Sequence, residues 1–194
     1  MGKIVYLLGK SASGKDSIYN GIMKSGLNIK PVVPYTTRPR REGETEGEEY
    51  YFIDDTEFEL LKSEGKLIEY REYHTMQGIW RYMTVGDGQI NLEKNSSLLI
   101  GTLESYKKTR EYYGEDKLIP IYLTVDDGER LQRALNRERQ QRAPKYAELC
   151  RRFLADEADF SQDNLISCGI SLSFKNDDYE MCLREIVEYL KNRL

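Results

Sequence analysis

Residues 5–17 read Val-Tyr-Leu-Leu-Gly-Lys-Ser-Ala-Ser-Gly-Lys-Asp-Ser. An apolar, β-favouring run ends at Gly9, a loop of Ser11, Ala12 and Ser13 follows, and Gly14-Lys15 opens a helical pattern. Gly9, Gly14 and Lys15 have the spacing of the phosphate-binding pattern G-x-x-x-x-G-K-S/T. The pattern departs at one position, where Asp16 follows the lysine and Ser17 comes one step later. Small residues let successive backbone N–H groups turn inward around phosphate oxygens. The helix that follows aims its positive end at the same anion, and Lys15 reaches it as a mobile charge. A plain strand–turn–helix with Asp16 as a favourable first-turn carboxylate is the competing account. Either way the stretch commits the start of the chain to a buried strand followed by a helix.

The remaining pattern alternates in the same way. Apolar runs at residues 3–8, 29–33, 98–100, 118–125 and 170–174 predict strands, and the segments at 15–24, 103–113 (mostly polar), from 126 onward, 146–158 and 178–194 predict helices. Expected inward faces are Ile18, Ile22 and Met23; Leu131, Ala134 and Leu135; a stripe from Tyr146 to Ala158; and Cys182, Leu183, Ile186, Val187 and Leu190. This alternation predicts an α/β fold with a doubly wound parallel sheet, helices on both faces and the ligand crevice beyond the carboxyl ends of the strands. A β-rich insert at about residues 35–88 interrupts it. Within it, residues 50–53 predict a strand, and 56–64 a helix with Phe58, Leu60 and Leu61 inward. Residues 67–73 alternate, with Leu67, Glu69, Arg71 and Tyr73 on one side. The segment starting at Met76 holds the only tryptophan, Trp80. Residues 87–88 are read as a turn and 95–97 as a loop.

Charge is patterned rather than extreme. The 194 residues carry a net charge of −4, which argues against general nucleic-acid or anionic-membrane binding. No apolar run reaches the length of a membrane span, and residues 1–8 are too short for a signal peptide, so a cytoplasmic protein is expected. Cys150, Cys168 and Cys182 lack metal-ligand spacing and are read as reduced, Cys150 and Cys182 as core positions. With a single histidine, His74, no zinc site is expected. Residues 35–41 are basic and 42–49, from Glu42, acidic: either a solvated charged loop, or a second anion grip built from Arg38, Arg41 and Tyr50. Residues 130–152 are dense in cations, a composition usual for solvated helix faces.

Taken with the phosphate loop, Thr36-Thr37-Arg38-Pro39-x-Arg41-x-Gly43-Glu44-x-x-Gly47-x-x-Tyr50-x-Phe52 resembles guanylate kinases, as do Gly65-x-Leu67-Ile68-Glu69-Tyr70 and, less strongly, residues 127–160. The resemblance implies a P-loop core (residues 1–34 and 89–194), a helical lid at about 137–152 and an acceptor-binding insert at 35–88. It implies transfer of the γ-phosphate of Mg-ATP to GMP or dGMP. Gly9, Ser11, Ala12, Ser13, Gly14, Lys15, Asp16 and Ser17 would hold the ATP phosphates. Arg38, Arg41, Tyr50, Glu69, Tyr82 and Thr84 would hold the acceptor, with Glu69 reading the guanine edge. Lys15, Arg38, Arg137 and Arg152 would act in catalysis, and Mg²⁺ would arrive with ATP near Asp16 or Ser17. The chain departs from the family at Pro34, where a serine helps read guanine, and at Gly101-Thr102-Leu103, where many members carry Asp-x-Asp. Two other readings are a kinase of another phosphorylated acceptor such as a ribose phosphate, and a non-catalytic phosphopeptide-binding module.

Overall fold

The computed structural model describes residues 2–41, 43–75 and 78–194. Glu42, which opens the expected acidic run, and Met76, which opens the expected segment around Trp80, lie outside the described residues. The chain runs β1 (Ile4–Gly9), α1 (Lys15–Lys24), β2 (Ile29–Pro31), β3 (Tyr35–Thr36), β4 (Tyr51–Phe52), α2 (Asp55–Ser63), β5 (Leu67–Thr75), β6 (Gly78–Val85), β7 (Ser96–Ile100), α3 (Leu103–Tyr113), β8 (Leu118–Thr124), α4 (Asp127–Arg139), α5 (Tyr146–Asp159), α6 (Gln162–Ser167), β9 (Ser173–Lys175) and α7 (Tyr179–Lys191).

β1 is apolar at every step because both of its sides are covered. Ile4, Tyr6 and Leu8 enter one core with Leu103 and Tyr106 of α3 and Leu165 of α6. Val5 and Leu7 enter the other with Ile18 and Ile22 of α1 and Cys182, Ile186 and Leu190 of α7. Side chains of a strand alternate between faces, so one six-residue run supplies both cores. Each such aliphatic side chain contributes about 1.5–3 kcal/mol on burial, which leaves no position in β1 where a charge is cheap. β1 is central in a parallel five-stranded sheet of order β2-β7-β1-β8-β9. The parallel sheet with helices on both faces agrees with the expected fold class.

A second, four-stranded sheet has the order β4-β3-β6-β5 and packs Met83 and Val85 of β6 against Phe58 of α2. β5 and β6 form its antiparallel hairpin. Their register slips between Leu67 and Glu69, so Ile68 and Glu69 are both buried and the simple alternation expected there breaks. The slip brings Glu69 opposite Thr84 and Arg71 opposite Tyr82.

Several expectations need correction. Ser96 and Ser97, read as loop, begin β7: Ser96 Oγ accepts from Lys3 N–H at 3.0 Å and Ser97 N–H donates to Lys3 O at 2.8 Å. β9 starts only at Ser173, while Ile170 packs into the core from the preceding loop. Leu60 is 56% exposed, because only Phe58 and Leu61 of α2 face the hairpin. α5 is a helix, but it packs chiefly on α4 and buries no residue fully, so Leu154 stands 69% exposed and Cys150 is exposed rather than core. In α4 the buried positions are Ala134, as expected, and Arg130, with Leu131 left 40% exposed. Among the described residues no helix is long and apolar enough to cross a membrane.

Candidate active site

The loop at residues 9–15 leaves the carboxyl end of β1. Gly14 sits at φ +86°, and a Cβ there would run into the Asn176 side-chain amide. Ala12 also has positive φ (62°), a conformation that costs a non-glycine residue about 1 kcal/mol or more and that turns successive N–H groups to one side. Asn176 clamps the loop from the end of β9 by donating from Nδ2 to Ser13 O at 2.8 Å. Gly14 is the N-cap of α1 and offers no side-chain cap, whereas α2, α3, α4 and α7 are capped by Asp54, Thr102, Asp126 and Asp178. The first turn of α1 therefore keeps its positive end open to an anion. Ser13 Oγ is buried there without a hydrogen-bond partner.

Lys15 Nζ folds back onto the loop, donating to Gly9 O at 2.7 Å and Lys10 O at 3.0 Å. Burial pushes its pKa down to about 8; Arg152 and Arg137 push the same way, and Asp156 and Asp16 oppose them. Arg137 and Arg152 thus share the electrostatic neighbourhood of Lys15, and Arg152 Nη2 reaches Ser11 Oγ at 3.4 Å. Asp16 and Ser17 are exposed at the start of α1.

Around this loop lies a network that residue type alone conceals. Ser11 N–H donates to Asp156 Oδ2 at 2.7 Å, the role a phosphate oxygen would take. Lys10 Nζ donates to both Glu157 oxygens at 2.7 Å. Arg130, 1% exposed, pairs with Asp127 (3.0 Å), Asp156 (3.4 Å) and Glu157 (2.5 Å), and its guanidinium lies 4.0 Å from the Phe153 ring centroid. Arg130 is therefore a structural hub joining α4, α5 and the loop, not part of a solvated face. A cavity of about 290 Å³ beside it opens between Lys10, Ser13, Thr124, Asp127 and the Arg130 side chain.

The second cluster belongs to the other sheet. Arg38 is 3% exposed, and its Nη1 and Nη2 donate to the two Glu44 oxygens at 2.8 and 2.5 Å. Nη1 also donates to Pro39 O at 2.9 Å, while Nε–H has no partner. The Tyr50 ring centroid is 5.1 Å from the guanidinium, and Tyr82 packs edge-on to Tyr50 at 5.7 Å. Arg41 is exposed at the mouth, with its backbone N–H on Glu44 Oε2 at 2.8 Å. Arg38, Tyr50 and Tyr82 are thus brought together, with Arg41 beside them.

The Arg38 hydrogen bonds hold the Glu44 carboxyl down to about 2 from 4.5; burial opposes them and the Arg41 N–H adds to them. A depressed carboxylate pKa contributes stability that is complete above the unfolded value and lost as pH falls through the folded one. Glu44→Gln is accordingly expected to lose about 1–2 kcal/mol in urea unfolding at pH 7. The deficit should shrink below pH 4.5 and vanish near pH 2. An equal deficit at pH 7 and at the acid end would show that the charge is not what Glu44 contributes.

Glu69 and Thr84 form the floor beside this cluster, where Thr84 Oγ1 donates to Glu69 Oε1 at 2.8 Å. Arg71, which the sequence motifs do not single out, donates to both Glu69 oxygens (3.1 and 3.3 Å) and to Thr102 Oγ1 (3.2 Å). Glu104 lies near Arg71, and together with Asp156 and with burial, the largest cause, it raises the pKa of Asp159.

A phosphate loop at the end of the central strand of a parallel sheet, facing arginines from a neighbouring helix pair, defines a P-loop nucleotide-binding α/β protein. The family model described as guanylate kinase matches residues 1–85. Guanylate kinase of Anaplasma phagocytophilum is 34% identical over 142 residues, 70% of this chain and 63% of that protein. That of Nostoc sp. is 25% identical over 185 residues, 95% and 87%. The crystal structure of guanylate kinase from Anaplasma phagocytophilum superposes with a TM-score of 0.69 at 25% identity, covering 98% of this chain and 85% of that one. The chain is thus similar to guanylate kinases in both sequence and fold. Some curated relatives match over a shorter stretch: the alignment with guanylate kinase of Thermobifida fusca, 39% identical, spans 37% of this chain and 36% of that protein.

Proposed function

We propose that this protein transfers the γ-phosphate of Mg-ATP to GMP or dGMP. The observation that carries the reading is the pairing, in one chain, of an uncapped phosphate loop holding Lys15 with a buried arginine–tyrosine grip at Arg38 and Tyr50. Residues 9–17 hold the donor phosphates, and Mg²⁺ enters with ATP beside Asp16 and Ser17. Arg38, Arg41, Tyr50 and Tyr82 hold the acceptor phosphate, and Glu69 and Thr84 lie at the base end. In domain terms, residues 1–34 and 89–194 are the core, 35–88 the acceptor-binding insert and about 137–152 the lid.

The reaction needs no covalent intermediate. An acceptor phosphate oxygen attacks the γ-phosphorus, the bond to the bridging β–γ oxygen breaks, and ADP and GDP result. Catalysis is then positioning and charge neutralisation. Lys15 is the donor-side cation. Arg137 and Arg152 move onto the transferring group as α4 and α5 close, and closure excludes water. Asp156 must yield the Ser11 N–H to a phosphate oxygen for ATP to seat fully. The reading takes the protein to work in the cytoplasm, where both substrates occur, with no nucleic acid or membrane as partner.

A coupled ADP-release assay with GMP, dGMP, AMP, UMP and ribose phosphates tests it. Mg²⁺-dependent ADP release with GMP or dGMP is expected. Release with a ribose phosphate alone, or phosphopeptide binding without ADP release, would overturn it. The family matches favour neither of those alternatives.

A further inference from the structure

We propose that Arg71 is the base-reading residue of the acceptor site, and that the site selects 6-oxopurine monophosphates with little regard to the 2-amino group. The inference rests on the nucleotide-kinase reading above and names its substrate class more closely.

Hydrogen-bond capacity at Glu69 carries the argument. Its side chain is 0% exposed, while that of Arg71 is 11% exposed, so of the two side chains only Arg71 is open to an incoming ligand. An ionised carboxylate has about four lone-pair sites. Oε1 already accepts from Thr84 Oγ1 and Arg71 Nη2, and Oε2 accepts from Arg71 Nε. One site remains. Reading guanine through its N1–H and 2-amino donors requires two acceptor sites, so Glu69 cannot do so while Arg71 is in place.

Arg71 has the opposite balance. Of its five N–H donors, two go to Glu69 and one to Thr102 Oγ1. The other two have no partner among the described residues. One is on Nη1 and the other on Nη2. A two-donor guanidinium edge matches the O6 and N7 acceptors of a 6-oxopurine, a pairing that arginine makes with guanine elsewhere. It rejects a 6-aminopurine, whose N6 group is a donor. The position suits the role: Arg71 is opposite Tyr82 in the hairpin register and acts electrostatically on Tyr50, both beside Arg38. Glu69 and Thr102 hold the fork in place, so reading two acceptors costs little further ordering.

The test compares GMP, IMP and AMP, by calorimetric binding without ATP and by kcat/KM with Mg-ATP. In the wild type, GMP and IMP are expected within about fivefold of each other and AMP at least about 100-fold worse. Arg71→Ala frees one lone-pair site on each Glu69 oxygen, Thr84 keeping its bond to Oε1, and the 2-amino group then gains a bond to a charged acceptor worth roughly 10- to 100-fold. The GMP-to-IMP ratio should rise by that amount. Arg71→Lys, which keeps the charge that neutralises Glu69, should weaken both nucleotides by about tenfold and leave their ratio near one. A wild-type preference for GMP over IMP beyond about 30-fold, or a ratio unmoved by Arg71→Ala, overturns the proposal. Should Arg71→Ala fail to fold, the wild-type ratio decides alone. Binding of both nucleotides without transfer overturns the kinase reading, and the affinity ratio still decides this one. Binding of neither overturns both.

Discussion

Lys15→Ala is expected to reduce phosphoryl transfer about 10³-fold while leaving acceptor affinity within about twofold. The asymmetry follows from placement. Lys15 Nζ rests on Gly9 O and Lys10 O in the loop after β1, whereas Arg38 and Tyr50 flank β3 and β4 of the other sheet. Its pKa of about 8 adds a second signature. Below pH 8 the ammonium is charged and attracts phosphate. Above it, the empty loop binds ATP only by taking up a proton, so wild-type ATP affinity should fall between pH 8 and 9.5, by up to about tenfold per pH unit. Lys15→Ala should bind ATP weakly and without that pH dependence. Single-turnover transfer and ATP titrations at pH 7, 8 and 9 check both signatures. Near-normal turnover in Lys15→Ala would remove the loop from the mechanism.

The donor loop was readable because its constraint is local: six residues from Gly9 to Gly14 carry both the glycines and the turn. β1 and α7 were readable for the same reason, since burial on two faces or on one stripe leaves a period in the sequence. What escaped is what distant segments impose. Arg130 reads as surface charge until Asp156, Glu157 and the Phe153 ring arrive from α5 to bury it. Leu154 reads as core until the placement of α5 leaves it in solvent. Asn176 carries no local signal for its clamp on Ser13 O, although Gly14 beside it requires a neighbour without room for a Cβ. Arg71 and Glu69 were visible as a strand-face pair. That the arginine covers the carboxylate depends on the register slip after Leu67, and alternation cannot show that.

Arg38→Ala is expected to raise the acceptor KM about 100-fold, through two losses that a second substitution separates. The first is attraction. Glu44 and Pro39 O hold the guanidinium rigidly, and Nε–H, buried beside Tyr50 without a partner, is left for a phosphate oxygen. The second is repulsion. With Arg38 gone, Glu44 keeps its charge at neutral pH, because its carboxyl returns from about 2 only toward 4.5. It then stands unpaired where the phosphate must sit. The single variant therefore overstates what Arg38 contributes to binding. Arg38→Ala combined with Glu44→Ala should recover about tenfold of the lost affinity, and Arg38→Lys, which keeps the charge but not the fork, should fall between wild type and Arg38→Ala. GMP titrations of the four proteins at pH 7 decide it. A double variant no better than Arg38→Ala would show that Glu44 is neutralised by Arg41 instead. An Arg38→Ala effect below about threefold would place the acceptor phosphate elsewhere in the cleft.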